Sequence, residues 1–134
     1  SLSRSAIIED GSAVGMQISV QTKTLDTFAR ENSLAAIDVI KMDVQRHEGA
    51  VLTGAVETIR RFRPLVMMEC YYDDLKEGSA LLAPFLGQDY AAVDPRDRLV
   101  HAVDSKALTA LRNRGESYGD FAFVPREKLT QLSL

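Results

Sequence analysis

Apolar residues recur along the chain with the two periods that distinguish strands from helices. Segment 36–44 is mostly apolar and β-branched, which predicts an interior strand covered on both faces. In 48–62 the apolar residues recur every three or four positions, which predicts an amphipathic helix that Pro64 ends. Residues 65–70 form a second apolar strand. Strand, helix and strand in this order predict a βαβ unit with parallel strands and a right-handed crossover.

The segment before this unit has a weaker pattern. Residues 1–16 predict a loop or weak strand around the short apolar stretch 6–8. Residues 17–25 alternate between apolar and polar, as expected for a half-buried strand. Thr24 is well placed to cap a helix, which residues 32–33 would end. We therefore expect a strand and a short helix ahead of the βαβ unit.

The segment after the unit predicts shorter elements. In chain order we expect a short helix over 80–86 that is interrupted or ended near Pro84, and a hairpin of 89–94 and 98–103 whose turn begins at Asp94. A helix over 106–114 and a last strand over 119–125 follow. Together these elements predict a single α/β domain over residues 1–134. Its mixed sheet would be parallel in the centre and antiparallel toward the C-terminal edge.

Composition excludes several classes of protein. The chain has 134 residues, of which 46% are hydrophobic and 26% charged, as in soluble globular domains. Its net charge of -3 argues against a nucleic-acid partner, since such proteins are normally basic. The single cysteine, Cys70, excludes an internal disulfide and favours a cytoplasmic location. No apolar run approaches the roughly 20 residues of a membrane span, so we expect no membrane partner.

Polar residues cluster where the two predicted parallel strands end. Asp43 lies at the end of the first strand, and His47 and Glu48 lie in the turn into the helix. Glu69 lies at the end of the neighbouring strand. Open α/β sheets bind ligands in the crevice beyond the carboxyl ends of their strands. The sequence therefore predicts that these four side chains converge on one site.

Three of these four residues also have a purely structural explanation. Glu48 suits the positive end of a helix dipole, His47 suits an exposed turn, and Asp43 has a possible ion-pair partner in Lys41. An acid near the end of a buried strand is costly unless it is used, which gives Asp43 the strongest functional claim. The oxygen ligands are too few to favour a Mg²⁺ site, so we expect no metal.

A set of short motifs runs through residues 24–70. The motifs are Thr24-Leu25-Asp26, Ile40-Lys41, Asp43-Val44, His47-Glu48, Val51-Leu52, Gly54-Ala55, Arg63-Pro64 and Glu69. In combination they resemble the C-terminal half of FkbM-type S-adenosylmethionine-dependent methyltransferases. Residues 87–103 and 120–125 also resemble the closing strands of that family, so the resemblance covers most of the chain.

The resemblance implies a Rossmann-like methyltransferase fold and methyl transfer to a hydroxyl of a sugar or natural product. The implied cofactor is S-adenosylmethionine, and the implied partner is a small-molecule hydroxyl acceptor. Such a reaction requires a group that orients or deprotonates the acceptor. We expect Asp43 to do this, with His47 as the second choice. Glu48 and Glu69 are expected to support the site.

The chain departs from the family pattern in two places. Gln45-Arg46 replaces the family's Glu-Gly, so an acid is lost, a cation is gained, and any backbone conformation that required glycine is strained. The glycine-rich strand–turn–helix that holds the cofactor has no counterpart in residues 1–23. The cofactor-binding residues are therefore unknown, and the chain corresponds to the partial, substrate-side half of the fold.

Two further interpretations remain open at this stage. The chain could be a non-catalytic binding or oligomerisation module derived from the family, which Gln45-Arg46 and the missing glycine loop favour. It could also be a small α/β protein with another ligand. If the cofactor-side strands are absent, the strand over 36–44 would have an open edge, and we then expect a homo-oligomer formed through that edge.

Overall fold

A computed structural model describes residues 5–6 and 18–134. The predicted loop or weak strand over 1–16 lies outside these residues, apart from a two-residue strand. In chain order the elements are β1 (Ser5–Ala6), β2 (Val20–Gln21), α1 (Leu25–Glu31), β3 (Val39–Met42), α2 (Glu48–Thr53), α3 (Val56–Phe62), β4 (Leu65–Tyr71), a 3₁₀ turn (Tyr72–Asp74), β5 (Tyr90–Val93), β6 (Val100–His101), α4 (Ser105–Thr109), β7 (Tyr118–Pro125) and a 3₁₀ segment (Arg126–Leu132). Strands β1 and β2 pair antiparallel.

The main sheet has five strands in the order β3-β4-β7-β5-β6. Strands β3 and β4 are parallel and are connected by α2 and α3, which confirms the βαβ unit. All other neighbours in the sheet are antiparallel. The mixed α/β class is confirmed and is compatible with a methyltransferase-like fold. One detail needs correction: in the described residues the parallel pair lies at one side of the sheet, because β7 inserts between β4 and β5.

Strand β3 was predicted to be covered on both faces, and this is wrong for the described residues. It is the outermost strand of the sheet, and the Val39 side chain is 57% exposed. Lys41 is also exposed, whereas Ile40 is half-buried and Met42 is buried. The apolar, β-branched composition of this segment predicts a strand correctly, but composition cannot reveal that only the face with Ile40 and Met42 is covered.

One face of the sheet carries the hydrophobic core. In β4, Val66, Met68 and Cys70 are buried, while the alternating side chains are half-buried or exposed. Helices α2 and α3 contribute core residues on the buried side, and Phe85 stacks on Phe123 with ring centroids 4.4 Å apart. The opposite face at β3 and β4 is open, and it carries the polar side chains at the carboxyl ends of these strands.

The predicted helix over 48–62 is divided into two. Its break at Gly54-Ala55 is stabilised from outside, because Asp26 in the first turn of α1 accepts hydrogen bonds from the backbone N–H groups of Thr58 (2.8 Å) and Glu57 (3.2 Å). These are the free N–H groups at the start of α3. A continuous helix would have no such free donors there.

Thr24 caps α1, as predicted, by accepting a hydrogen bond from the Thr27 N–H at 3.1 Å. Its side chain also lies against Gly54, where an added Cβ would approach Thr24 to 3.0 Å. Two of the family motifs, Thr24-Leu25-Asp26 and Gly54-Ala55, therefore contact each other and hold α1 against the junction of α2 and α3.

The remaining predictions were met to different degrees. The hairpin of β5 and β6 and the last strand β7 are confirmed. Of the predicted strand over 17–25, the described residues 18–25 retain the exposed pair Val20–Gln21. Residues 80–86 form hydrogen-bonded turns rather than a helix, since Pro84 has no N–H to continue the helical pattern. The helix over 106–114 is shorter, at Ser105–Thr109.

Candidate active site

An open cavity of about 400 Å³ lies at the carboxyl ends of β3 and β4. Ligand sites of small molecules commonly have this size. The cavity is lined by Lys41, Met42, Asp43, Met67, Met68, Glu69, Pro95, Arg96, Asp120 and Phe121. Two of the four predicted site residues, Asp43 and Glu69, are therefore brought together, in the position expected for a site in an α/β sheet.

Glu69 is half-buried at the end of β4. Burial raises the pKa of its carboxyl group, and the negative charges of Asp43, Asp120 and Glu48 raise it further. A hydrogen bond with the Tyr71 side chain acts in the opposite direction. A carboxylate whose pKa is raised toward neutrality is a better proton acceptor than an ordinary one.

Asp43 is exposed and accepts a hydrogen bond from Gln45 Nε2 at 3.2 Å. In the described part of the chain, it has no ion pair with Lys41, which is exposed at the same cavity. The purely structural explanation for Asp43 is thus not supported by its contacts. Its carboxylate remains accessible to a ligand.

Glu48 and His47 lie in different environments. Glu48 is buried, and its Oε1 accepts a hydrogen bond from the Val44 N–H at 3.2 Å, which fastens the turn after β3. His47 is exposed and does not line the cavity. Its Nδ1 lies 3.1 Å from the Gln45 carbonyl oxygen, which can only accept, so Nδ1 carries the proton in this contact. Neither Glu48 nor His47 lines this cavity.

The turn that contains the departure Gln45-Arg46 has an unusual backbone. Gln45 and Arg46 have φ values of +51° and +71°, and the His47 N–H donates to the Val44 carbonyl at 3.3 Å. Two consecutive positive φ values are typical of a type I′ turn, in which glycine and asparagine are favoured. The predicted strain at the glycine position of the family is therefore present at Arg46.

Contacts of the Arg46 side chain hold this turn in place. Its guanidinium group lies 2.9 Å from both carboxylate oxygens of Asp74 and 4.6 Å from the centre of the Tyr71 ring. An arginine can bind a carboxylate with two nitrogens and stack on an aromatic ring, which glycine cannot. The bulky replacement is thus compensated by contacts outside the turn.

Arg96 forms one wall of the cavity and was not identified from the sequence. Its guanidinium group donates to the buried Asp94 (2.6 Å) and to Glu116 (2.9 Å), and lies 3.5 Å from the Tyr72 hydroxyl. The hydrogen bonds from Arg96 hold the pKa of Asp94 below its ordinary value. The Asp94-Pro95-Arg96 sequence predicted a turn, and in the folded chain this turn reaches the site.

The Tyr72 ring reaches Arg96 because position 119 has no side chain. A Cβ at Gly119 would lie 2.5 Å from the Tyr72 hydroxyl oxygen, and the ring packs edge-on against Phe121. The hydroxyl therefore occupies the space that a side chain in β7 would fill. This close approach connects the core to the wall of the cavity.

Asp120 is the second site residue that sequence analysis missed. It lies in β7 directly opposite Glu69 of β4. The sequence does not mark this exposed acid as a site residue, because the pairing of β4 with β7 has to be known first. The alternation of apolar and polar residues in 119–125 shows only that Asp120 points away from the core.

Other forms of chemistry have little support in the described residues. Among residues 5–6 and 18–134, no group of three or more histidine, cysteine and acidic side chains is arranged to hold a metal ion. Cys70 is buried, and burial raises the pKa of its thiol to about 12, so it is a poor nucleophile. No helix in this part of the chain has the length and apolar character to cross a membrane.

Comparisons with known proteins identify the family of the chain. The model of the methyltransferase FkbM domain family matches residues 3–116. The 2-O-methyltransferase NoeI of Sinorhizobium fredii (strain NBRC 101917 / NGR234) is 39% identical over 69 residues, which are 52% of this chain and 28% of that protein. The chain thus spans under a third of the length of this relative. No solved structure matches the chain. Because the family model covers most of its residues, the chain belongs to the FkbM methyltransferase family.

Proposed function

We propose that the chain takes part in the S-adenosylmethionine-dependent methylation of a hydroxyl group on a sugar or another natural product. In this proposal residues 1–134 form the acceptor side of a methyltransferase domain. The observation that carries it is the cavity lined by both Asp43, directly after β3, and Glu69, in the parallel strand β4. The relative NoeI is named as a 2-O-methyltransferase, which supports an oxygen acceptor.

The carboxylates of the cavity would prepare the acceptor. Asp43 would accept a hydrogen bond from the hydroxyl group and orient its oxygen toward the methyl group. The hydroxyl proton would pass to Asp43 or to Glu69 as the new C–O bond forms. Holding the reactants in line contributes on the order of 7–11 kcal/mol to such a reaction. Glu48 would act indirectly, since it fastens the turn that follows Asp43.

The described residues suit one end of the implied cofactor. When bound, S-adenosylmethionine supplies the methyl group from a sulfonium cation, which departs as a neutral thioether. The acidic side chains of the cavity favour a cation nearby. In the described chain, the strand-to-helix turns 22–24, 43–47 and 102–104 contain no glycine, so none offers the backbone cradle that a nucleotide commonly requires. Only the sulfonium end therefore has matching residues here.

The charges around the cavity favour an uncharged acceptor. Asp43, Glu69 and Asp120 are acidic, and Arg96 is already engaged by Asp94 and Glu116. An anionic acceptor would meet these carboxylates, and Lys41 alone would offset part of the repulsion. A sugar hydroxyl carries no charge and donates the hydrogen bonds that carboxylates accept. This complementarity supports the acceptor class.

The proposal is tested by transfer of radiolabelled methyl groups from S-adenosylmethionine to a panel of neutral and anionic sugars. We expect transfer to neutral sugars, and a reduction of about 10²-fold or more in Asp43→Asn. Asp38→Asn, an exposed acid just before β3, is the matched control and should retain the wild-type rate. Equal rates in Asp43→Asn and the wild type would show that Asp43 has no such role.

Isothermal titration with S-adenosylmethionine gives an independent measurement. Both assays should be repeated with a protein that includes any residues encoded upstream of Ser1, because the described residues match only part of the cofactor. Binding accompanied by transfer supports the proposal. If neither binding nor transfer occurs in either form of the protein, the proposal is wrong and a non-catalytic module is the better description.

A further inference from the structure

Two carboxylates lie directly opposite each other on neighbouring strands at the candidate active site. Glu69 of β4 and Asp120 of β7 are direct partners in the antiparallel pairing, and both line the cavity. Like charges in directly opposed positions destabilise a sheet. A neutral residue at either position would satisfy the same strand pairing. The pairing of β4 with β7 therefore does not explain why both positions are acidic.

We propose that Asp120 is a further positioning residue of this site: it is paired with Glu69 across β4 and β7 and, together with burial and Asp43, sets the charge state in which Glu69 meets the acceptor hydroxyl. The catalytic part of this inference rests on the proposed function. The interaction between the two carboxylates does not, because it depends only on the geometry of the sheet.

Charged and titratable groups approach Glu69 from every element around it. They are Lys41 from β3, Asp43 from the turn after β3, Glu48 from α2, Tyr71 from β4 itself, Asp120 from β7 and Arg96 from the turn after β5. Burial and the three acidic neighbours favour the protonated form of Glu69, while Tyr71 favours the charged form. Arg96 is engaged by Asp94 and Glu116. Of the acidic neighbours, Asp120 alone is in direct register with Glu69 on a hydrogen-bonded strand.

The direction of the effect follows from the charges. Removing the negative charge of Asp120 makes the ionised form of Glu69 less unfavourable, so the pKa of Glu69 falls. Glu69 accepts a proton only when ionised, and loss of activity at low pH would then begin at a lower pH in Asp120→Asn. Asparagine has nearly the same shape as aspartate, so the pairing of the two strands is kept.

The test is a titration of the Glu69 side-chain carboxyl carbon by NMR in the wild type, Asp120→Asn and the control Asp38→Asn. We expect a lower titration midpoint for Glu69 in Asp120→Asn and the wild-type midpoint in Asp38→Asn, which removes a charge before the other end of β3. The difference should shrink in high salt, because part of the interaction crosses solvent. A Glu69 midpoint in Asp120→Asn equal to that of the wild type would overturn the inference.

A second variant covers the case in which Asp120→Asn does not fold. Asp120→Ser removes the same charge with a smaller side chain, so it should also lower the titration midpoint of Glu69. A wild-type Glu69 midpoint in Asp120→Ser would contradict the proposal. These titrations need neither cofactor nor acceptor. If they show the coupling and methyl transfer is absent, the inference stands and the proposed function fails.

Discussion

Arg46 shows how one residue can keep a backbone conformation for which its side chain is poorly suited. At its φ of +71° a non-glycine residue costs roughly 1–2 kcal/mol. The contacts with Asp74 and Tyr71 are partly exposed, so each compensates only a fraction of this cost. The substitution of a glycine position in the family pattern by arginine is therefore tolerated rather than favoured.

The positive φ of Arg46 predicts which of two variants is the more stable. Arg46→Gly and Arg46→Ala both lose the contacts with Asp74 and Tyr71, but only glycine relieves the backbone. We expect Arg46→Gly to be more stable than Arg46→Ala by about 1 kcal/mol in urea unfolding. If the alanine variant is equally stable, the positive φ carries no cost.

At the residue scale, the sequence predicted the acidic residues at strand ends but not two other charged residues of the cavity wall. Asp43 and Glu69 are recognisable because each ends an apolar run. Asp120 and Arg96 are not, because their positions depend on which strands pair and where a turn folds back. His47 is close in sequence to the site, but its side chain bonds to its own turn.

Several family motifs act at the scale of elements, as supports for helices. Asp26 supplies the N-terminal cap of α3 from the first turn of α1. The loss of such a cap typically costs about 1 kcal/mol. The motif that contains Asp26 is therefore explained by architecture rather than by chemistry.

We predict that Asp26→Ala destabilises the protein by about 1 kcal/mol in urea unfolding, whereas Asp26→Asn, which keeps an acceptor oxygen, loses less. Neither substitution touches the cavity. Equal losses in the two variants would show that hydrogen bonding to α3 is not the reason for the effect.

The outer edge of β3 is the second feature at this scale. In the described residues β3 has a neighbour on one side only, and an open strand edge tends to pair with another chain. We expect the mass measured by light scattering to rise with protein concentration. Val39→Lys, on β3, should reduce this association, and Val100→Lys, on β6 at the opposite edge, should not. A single monomer mass at all concentrations would contradict the prediction.

Elements were predictable from the sequence where the periodicity was strong, as in β4, β7 and the hairpin of β5 and β6. The division of 48–62 into two helices was not, because its cause is a hydrogen bond from another helix. The exposure of one face of β3 was not predictable either, since an apolar run suggests a strand that is covered on both faces.

At the scale of the whole molecule, Arg63 links segments that are distant in the chain. It ends α3 with a left-handed backbone conformation, donates to the Gln88 carbonyl at 2.6 Å and pairs with Glu127 at 2.9 Å. Hydrogen bonds from Arg63 lower the pKa of Glu127 to about 2. The 3₁₀ segment after β7 is thus attached to the end of α3, inside the βαβ unit.

This linkage predicts a pH dependence of stability. The folded pKa of Glu127 lies below the value of about 4.3 expected in the unfolded chain, so its contribution is complete above that pH and is lost as the pH falls toward about 2. Because the pair is partly exposed, the contribution should be under about 1 kcal/mol. Unfolding free energies measured over this range should fall less steeply in Glu127→Gln than in the wild type. The exposed Glu77→Gln should leave the wild-type slope unchanged.

The close approach of Tyr72 to β7 has a consequence for the variation that this protein can tolerate. Every amino acid except glycine would place its first side-chain carbon at position 119 against the Tyr72 hydroxyl. In a saturation library selected for folding, position 119 should therefore return glycine as long as tyrosine occupies position 72. Other residues should become acceptable at 119 only together with a smaller residue at 72, at the expense of the contact with Arg96.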